Sequence, residues 1–199
     1  MHRNLFVGFL LFSLMVCVTS PAWAGALDDI KAGISAANRD DYDKAIGLFT
    51  KAIESGELPR ENLSKVYFDR GLAWGEKGDY DKAIADYTKA IEINPNYAEA
   101  YNNRGLTWGK KDDYDKAIAD YTKAIEINPN YAEAYNNRGR AWGKKDDYDK
   151  AIADYTKAIE INPKYADAYL NRSLAWGKKG DYDRSNADKT KAIDINQGR

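Results

Sequence analysis

Amide and guanidinium groups recur along this 199-residue chain at a fixed interval. Asn103, Asn137 and Asn171 stand 34 residues apart, and Asn102 and Asn136 precede the first two. A carboxamide donates to a carbonyl and accepts from an N–H, so it can bind a peptide backbone from one side. Arg70, Arg104, Arg138 and Arg172 keep the same interval, and each is followed sixteen residues later by Asp86, Asp120, Asp154 or Asp188. In a looser first unit the equivalents are Ala32 and Leu48. Arginine and aspartate appear and vanish together, which points to a partly buried ion pair between helices. The competing reading is a row of arginines for acidic ligands.

The elements that position these groups follow from the same period. Units 64–97, 98–131, 132–165 and 166–199 are near-copies, and the middle two differ only at Leu106/Arg140, Thr107/Ala141 and Asn130/Lys164. A looser unit covers about 26–63 and aligns with the next only if residues 55–64 hold extra loop residues. From Asp113, Ala117, Ile118, Tyr121, Ala124 and Ile125 mark one helix face, which ends at Asn128-Pro129 because proline cannot continue it. Before it, residues 98–110 carry Tyr101, Gly105 and Trp108 on one face, and the 111–113 turn closes a helix hairpin. Gly105, Ala117 and Ala124 are small enough for close approach of the two helices. Asp41, Asp79, Asp113, Asp147 and Asp181 stand where N-caps are needed. Such a period predicts an all-α solenoid of about five helix pairs, ten helices, each pair burying its apolar face against its neighbours.

In the third unit, Tyr101, Arg104-Gly105, Trp108, Ala117, Tyr121, Ala124 and Pro129 are similar in spacing to the tetratricopeptide repeat, with Arg in place of the usual Leu and Trp in place of Tyr. The resemblance implies a right-handed superhelix over 25–199 whose first helices line a concave groove that binds protein. It implies, too, that an asparagine ladder there can hold an extended peptide irrespective of its side chains. Asn102, Asn103, Asn136, Asn137, Asn171 and Arg140 are therefore the candidate peptide-binding residues, with solvated or structural asparagine as the rival reading. The chaperone-tail clamp of cytosolic relatives is rejected, because Asp69 and Glu99 stand where it needs amide or basic groups.

Residues 1–24 read differently. Arg3, an apolar run over 5–18 and then Ala22-Trp23-Ala24 form the pattern of a secretory signal cut after Ala24. Lipidation at Cys17 is the weaker alternative, since Val16 stands where lipoprotein signals carry a small residue. The expected location is the periplasm or outside of a bacterial cell. Met1, His2, Met15 and Cys17 are the chain's only Met, His and Cys, so the processed protein has no thiol or imidazole. That removes disulfides, the usual transition-metal ligands and most covalent nucleophiles. It leaves 29 basic against 31 acidic side chains. No basic stripe is present for nucleic acid or for a membrane surface.

Other recurrences have plainer readings. Asp112, Asp113 and Asp115 suggest calcium, but capping uses the same aspartates and the EF-hand pattern is absent. Trp74, Trp108, Trp142 and Trp176 suggest sugar stacking, but fall in register with the packed face. Gly75, Gly109, Gly143 and Gly177 sit inside helices, where close approach by a ligand or a neighbouring helix would explain them. In the last unit Ser185, Asn186 and Lys189 replace Ala151, Ile152 and Tyr155, which reads as a polar cap. The expectation is a non-enzymatic binder of protein or extended peptide, without cofactor or metal. A glycan-binding solenoid or a carboxylate-based hydrolase are the alternatives, and the partner and oligomeric state are left open.

Overall fold

The computed structural model describes residues 21–198. The apolar run at 5–18 and the candidate lipidation residue Cys17 lie outside them. Ten helices follow one another: α1 Pro21–Ala37, α2 Tyr42–Glu54, α3 Arg60–Glu76, α4 Tyr80–Ile93, α5 Ala98–Lys110, α6 Tyr114–Ile127, α7 Ala132–Lys144, α8 Tyr148–Ile161, α9 Ala166–Lys178 and α10 Tyr182–Asn196. There is no strand among the described residues, and no described helix is long and apolar enough to cross a membrane. The chain divides into two compact units, Met1–Pro95 and Asn96–Arg199.

Each pair closes by the same local chemistry. Asp41, Asp79, Asp113, Asp147 and Asp181 accept from the backbone N–H three residues on, satisfying a donor the helix cannot pair internally. Just before them the turn needs a left-handed residue, supplied by Gly78 and Gly180 or, at some strain, by Asp40, Asp112 and Asp146. Residues 55–64, expected to hold extra loop residues, divide: 55–59 connect, while α3 starts at Arg60 and gains a turn. Ser64 is buried there and donates to the Ala90 carbonyl at 3.0 Å.

Within a pair, one glycine admits one aromatic ring. A Cβ on Gly139 would come within 2.7 Å of the Tyr155 ring, and Gly33, Gly71 and Gly105 stand likewise against Phe49, Tyr87 and Tyr121. The helices therefore approach to a distance that only glycine permits. The trailing glycines have no such reason: a Cβ on Gly109 would meet nothing, and on Gly75, Gly143 or Gly177 only ordinary contacts at 3.5–4.0 Å.

In the first unit the core gathers Ala26, Ile30, Ala36, Ala45, Phe49, Ala52 and Val66. In the second, Ala117, Ile118 and Tyr121 of α6 pack on Ala141 of α7, and Ala151, Ile152 and Tyr155 of α8 pack on Ala175 of α9. In the second unit α6 and α8 thus bury their apolar stripes half in their own pair and half in the next, so these neighbouring pairs hold each other. The last pair carries the expected polar residues and also leaves two apolar side chains open. Asn186 and Lys189 are exposed as foreseen, but Leu174 is 69% exposed and Ile193 45%.

Candidate functional site

Which helices form the inner layer follows from which ones touch. In the second unit the first helices contact each other directly, α5 against α7 and α7 against α9, whereas α6 and α8 touch only first helices. The first helices are therefore the more closely spaced inner layer.

On that layer the asparagines connect repeats. The Asn137 amide donates to Asn102 Oδ1 at 3.1 Å, and the Asn171 amide donates to Asn136 Oδ1 at 2.9 Å. Asn136 in turn donates to the Tyr165 hydroxyl at 3.4 Å. Asn103 bonds its own helix, donating to the Glu99 carbonyl at 2.8 Å. Asn102 and Asn136 are each 4% exposed. Burial takes these two off the accessible surface, so their amides serve the stack; Asn103, Asn137 and Asn171 remain half-exposed. Arg140 is exposed on α7, and Leu106 and Leu174 hold its place on α5 and α9.

The arginines form the expected ion pairs. Arg138 donates to Asp154 through Nε and Nη2, both at 2.8 Å, and Asp154 is 6% exposed. Arg70, Arg104 and Arg172 hold Asp86, Asp120 and Asp188 with the same two-pronged geometry. The pairing with Asp154 is the main reason the Arg138 guanidinium is held above its ordinary pKa. Sequence reasoning missed the third partner. Arg138 Nη1 donates to Thr122 Oγ1 of the preceding repeat at 3.1 Å, as Arg172 does to Thr156 and Arg70 to Thr50. Thr122 and Thr156 lie sixteen residues before their arginines, the mirror of the Arg-to-Asp spacing, and that symmetry was the available signal. These guanidiniums are internal struts, so a row of arginines for acidic ligands is not what they build.

The aspartate cluster is likewise occupied. Asp112 accepts from the Tyr114 hydroxyl, Asp113 caps α6, and Asp115 pairs with Lys145 of the next repeat. No group of carboxylates suited to a metal occurs among the described residues. The tryptophans are half-buried at the edge of the core, and one indole face is already taken. Lys116, Lys150 and Arg184 lie 4.3, 4.2 and 3.7 Å from the ring centroids of Trp108, Trp142 and Trp176. A cation seated on the ring excludes a sugar from that face.

An open cleft of about 330 Å³ lies where two successive repeats begin, lined by Asn130, Tyr131, Ala132, Glu133, Ile161, Asn162 and Tyr165. Burial, then Glu133 and Glu99, raise the Tyr131 hydroxyl pKa. Tyr165 is pushed up to about 12 by burial first, then by Glu133 and Asp167. Both phenols are therefore protonated at neutral pH. The sequence reading singled out none of these residues, because tyrosine and glutamate at helix starts are ordinary in themselves.

Comparison with known proteins agrees with this architecture. The family model described as Tetratricopeptide repeat matches 98–131 and 132–165, and one described as TPR repeat matches 65–112. No curated protein matches the chain. Among solved structures, MamA superposes with a TM-score of 0.75 at 28% identity, covering 83% of this chain and 95% of that one. MamA 41-end from Desulfovibrio magneticus RS-1 superposes at 0.79 with 18% identity, covering 92% and 99%. YrrB, described as a TPR protein with an unusual peptide-binding site, gives 0.68 at 22% identity, covering 85% and 86%. Matches that run over 65–165, on helix pairs built around the Gly–Tyr contact and the capping aspartates, establish that the chain belongs to the tetratricopeptide repeat family.

Proposed function

We propose that this chain is a non-enzymatic scaffold of the bacterial envelope that holds a protein or an extended peptide on its inner layer of first helices. One observation carries the reading. On the two nearly identical repeats the frame is constant, and one inner position changes from the half-buried Leu106 to the exposed Arg140, with an exposed Leu174 at the same place in the last repeat. A fixed frame with a variable inner side chain is what recognition of a partner requires. Asn103, Asn137 and Asn171 border the same face. Each carboxamide has four hydrogen-bonding positions, so one bond to a neighbour is compatible with gripping a backbone. Catalysis has little to draw on, because imidazole and thiol groups occur only before residue 25.

Export is part of the proposal. It rests on the 5–18 apolar run and on Ala22-Trp23-Ala24. The bond after Ala24 lies inside α1, so processing there would remove the half-buried Trp23 and keep the buried Ala26 and Ile30. N-terminal sequencing of protein recovered from envelope fractions should read from Gly25, and an intact N-terminus would refute export by cleavage. For the binding role, immobilised wild-type and Arg140→Leu proteins are exposed to envelope extract. Arg140→Leu should leave melting unchanged and alter which proteins are retained; an identical retained set would remove the inner layer from recognition.

A further inference from the structure

We infer that the cleft between Tyr131 and Tyr165 is a socket for one basic side chain, lysine or arginine, of a bound peptide, with the Glu133 carboxylate as its counter-charge and the two phenol rings as its walls. The inference rests on the peptide-binding reading and specifies its chemistry. At the ends of the second helices beside the cleft, Glu126 is matched by Lys123 and Glu160 by Lys157, while Glu99, whose charge also reaches Tyr131, adds to the negative field. Glu133 lines the cleft, is exposed, and has no ion pair or hydrogen-bonding partner among the described residues. Aromatic faces attract cations, and a carboxylate beside them adds a directional, charge-assisted bond. Protonated phenols keep the walls neutral, so they do not compete with Glu133 for the cation. The Tyr165 hydroxyl accepts from the Asn136 amide, which ties the socket to the stacking of repeats. Arg140 does not fill it: seven residues along α7 from Glu133, it is about 10 Å away along the axis and makes no ion pair with it, although its charge is felt at Tyr165, where it opposes the rise in pKa. A cleft of about 330 Å³ suits one long side chain rather than a folded element.

Glu133 also stands in the first turn of α7, where the helix dipole favours an acid for structural reasons alone. The experiment separates the two roles. The ¹⁵N-labelled full chain is titrated with N-acetyl-arginine-N-methylamide and with the citrulline compound, which has nearly the same shape and no charge. The arginine probe should give saturable shifts centred on the amides of Tyr131, Ala132, Glu133 and Tyr165, and the citrulline probe should bind roughly tenfold more weakly. Glu133→Gln, with an otherwise intact spectrum and melting point, should lose a similar factor, and 0.5 M salt should weaken the arginine probe further. Equal binding of the two probes, unchanged binding by Glu133→Gln, or shifts spread equally over other exposed acids such as Asp183 would overturn the socket. Peptides of any charge would still be retained by a working groove in the capture assay, so failure of the socket and failure of the groove are distinguishable.

Discussion

Truncation of Arg138 tests how the repeats are joined. Its guanidinium makes three hydrogen bonds, two to Asp154 at 2.8 Å and one to Thr122 at 3.1 Å, and lies 5.6 Å from the Tyr135 ring centroid. Arg138→Ala leaves the Asp154 carboxylate buried at 6% exposure without its counter-charge. Breaking a buried pair from one side costs about 3–5 kcal/mol; the low end applies here, because the Arg138 side chain is itself 20% exposed and water can partly follow it. Asp154→Ala should cost less, about 2 kcal/mol, since the freed arginine keeps Thr122 and can turn toward solvent. The double variant orphans neither charge, so it should lose clearly less than the two single losses together, with a coupling of about 2–3 kcal/mol. Thr122→Val should cost about 1 kcal/mol in the parent and nearly nothing once Arg138 is gone. The measurement is urea unfolding followed by circular dichroism, with m-values compared because repeat arrays can leave two-state behaviour. Additivity within about 0.5 kcal/mol would refute the strut and return the arginines to the surface.

Asn137→Ala removes the donor to the buried Asn102 oxygen and should cost about 1–2 kcal/mol, seen as a fall of several degrees in melting. On the sequence alone the same change should leave melting nearly unaltered, so a calorimetric scan decides between a stitching and a purely ligand-facing amide. Gly109→Ala should stabilise the fold by about 0.5–1 kcal/mol, because the new methyl meets nothing, whereas Gly139→Ala should cost about 1–3 kcal/mol against the Tyr155 ring; denaturant midpoints of the two variants should move in opposite directions. Asp69 stands where the later repeats have Asn103, Asn137 and Asn171, and burial pushes its carboxyl up to about 7, with Lys65 opposing. The folded chain then holds this proton more tightly than the unfolded one, so stability falls as pH rises from about 4 to 7 and is level above that. Asp69→Asn should restore about 2 kcal/mol at pH 8, roughly half the full linkage value because Asp69 is only half-buried and water screens it, and nearly nothing at pH 4; a pH-independent gain in melting would show that the carboxyl is not shifted.

The period, the capping aspartates and the proline stops are local or repeating properties, and they were enough to determine the fold. Thirty-four residues hold one helix pair, the N-cap needs one oxygen three residues before its N–H, and proline lacks a donor wherever it stands. The Arg138–Asp154 pair was also legible, because the first unit lost both partners together at Ala32 and Leu48. What the sequence left undecided concerned the direction of side chains between repeats. Asn102 and Asn103 are adjacent and chemically identical, yet one is 4% exposed and the other half-exposed, since a helix turns by about 100° per residue and only the packed neighbour determines which turn is covered. Gly105 and Gly109 read alike as helical glycines, and only the position of the Tyr121 ring separates a required glycine from a replaceable one. The Tyr131–Glu133–Tyr165 cleft joins residues 34 apart whose types are ordinary for helix starts. Its chemistry exists only once stacking sets two rings around a carboxylate, because a pocket is a property of the space between repeats, and no single repeat encodes that space.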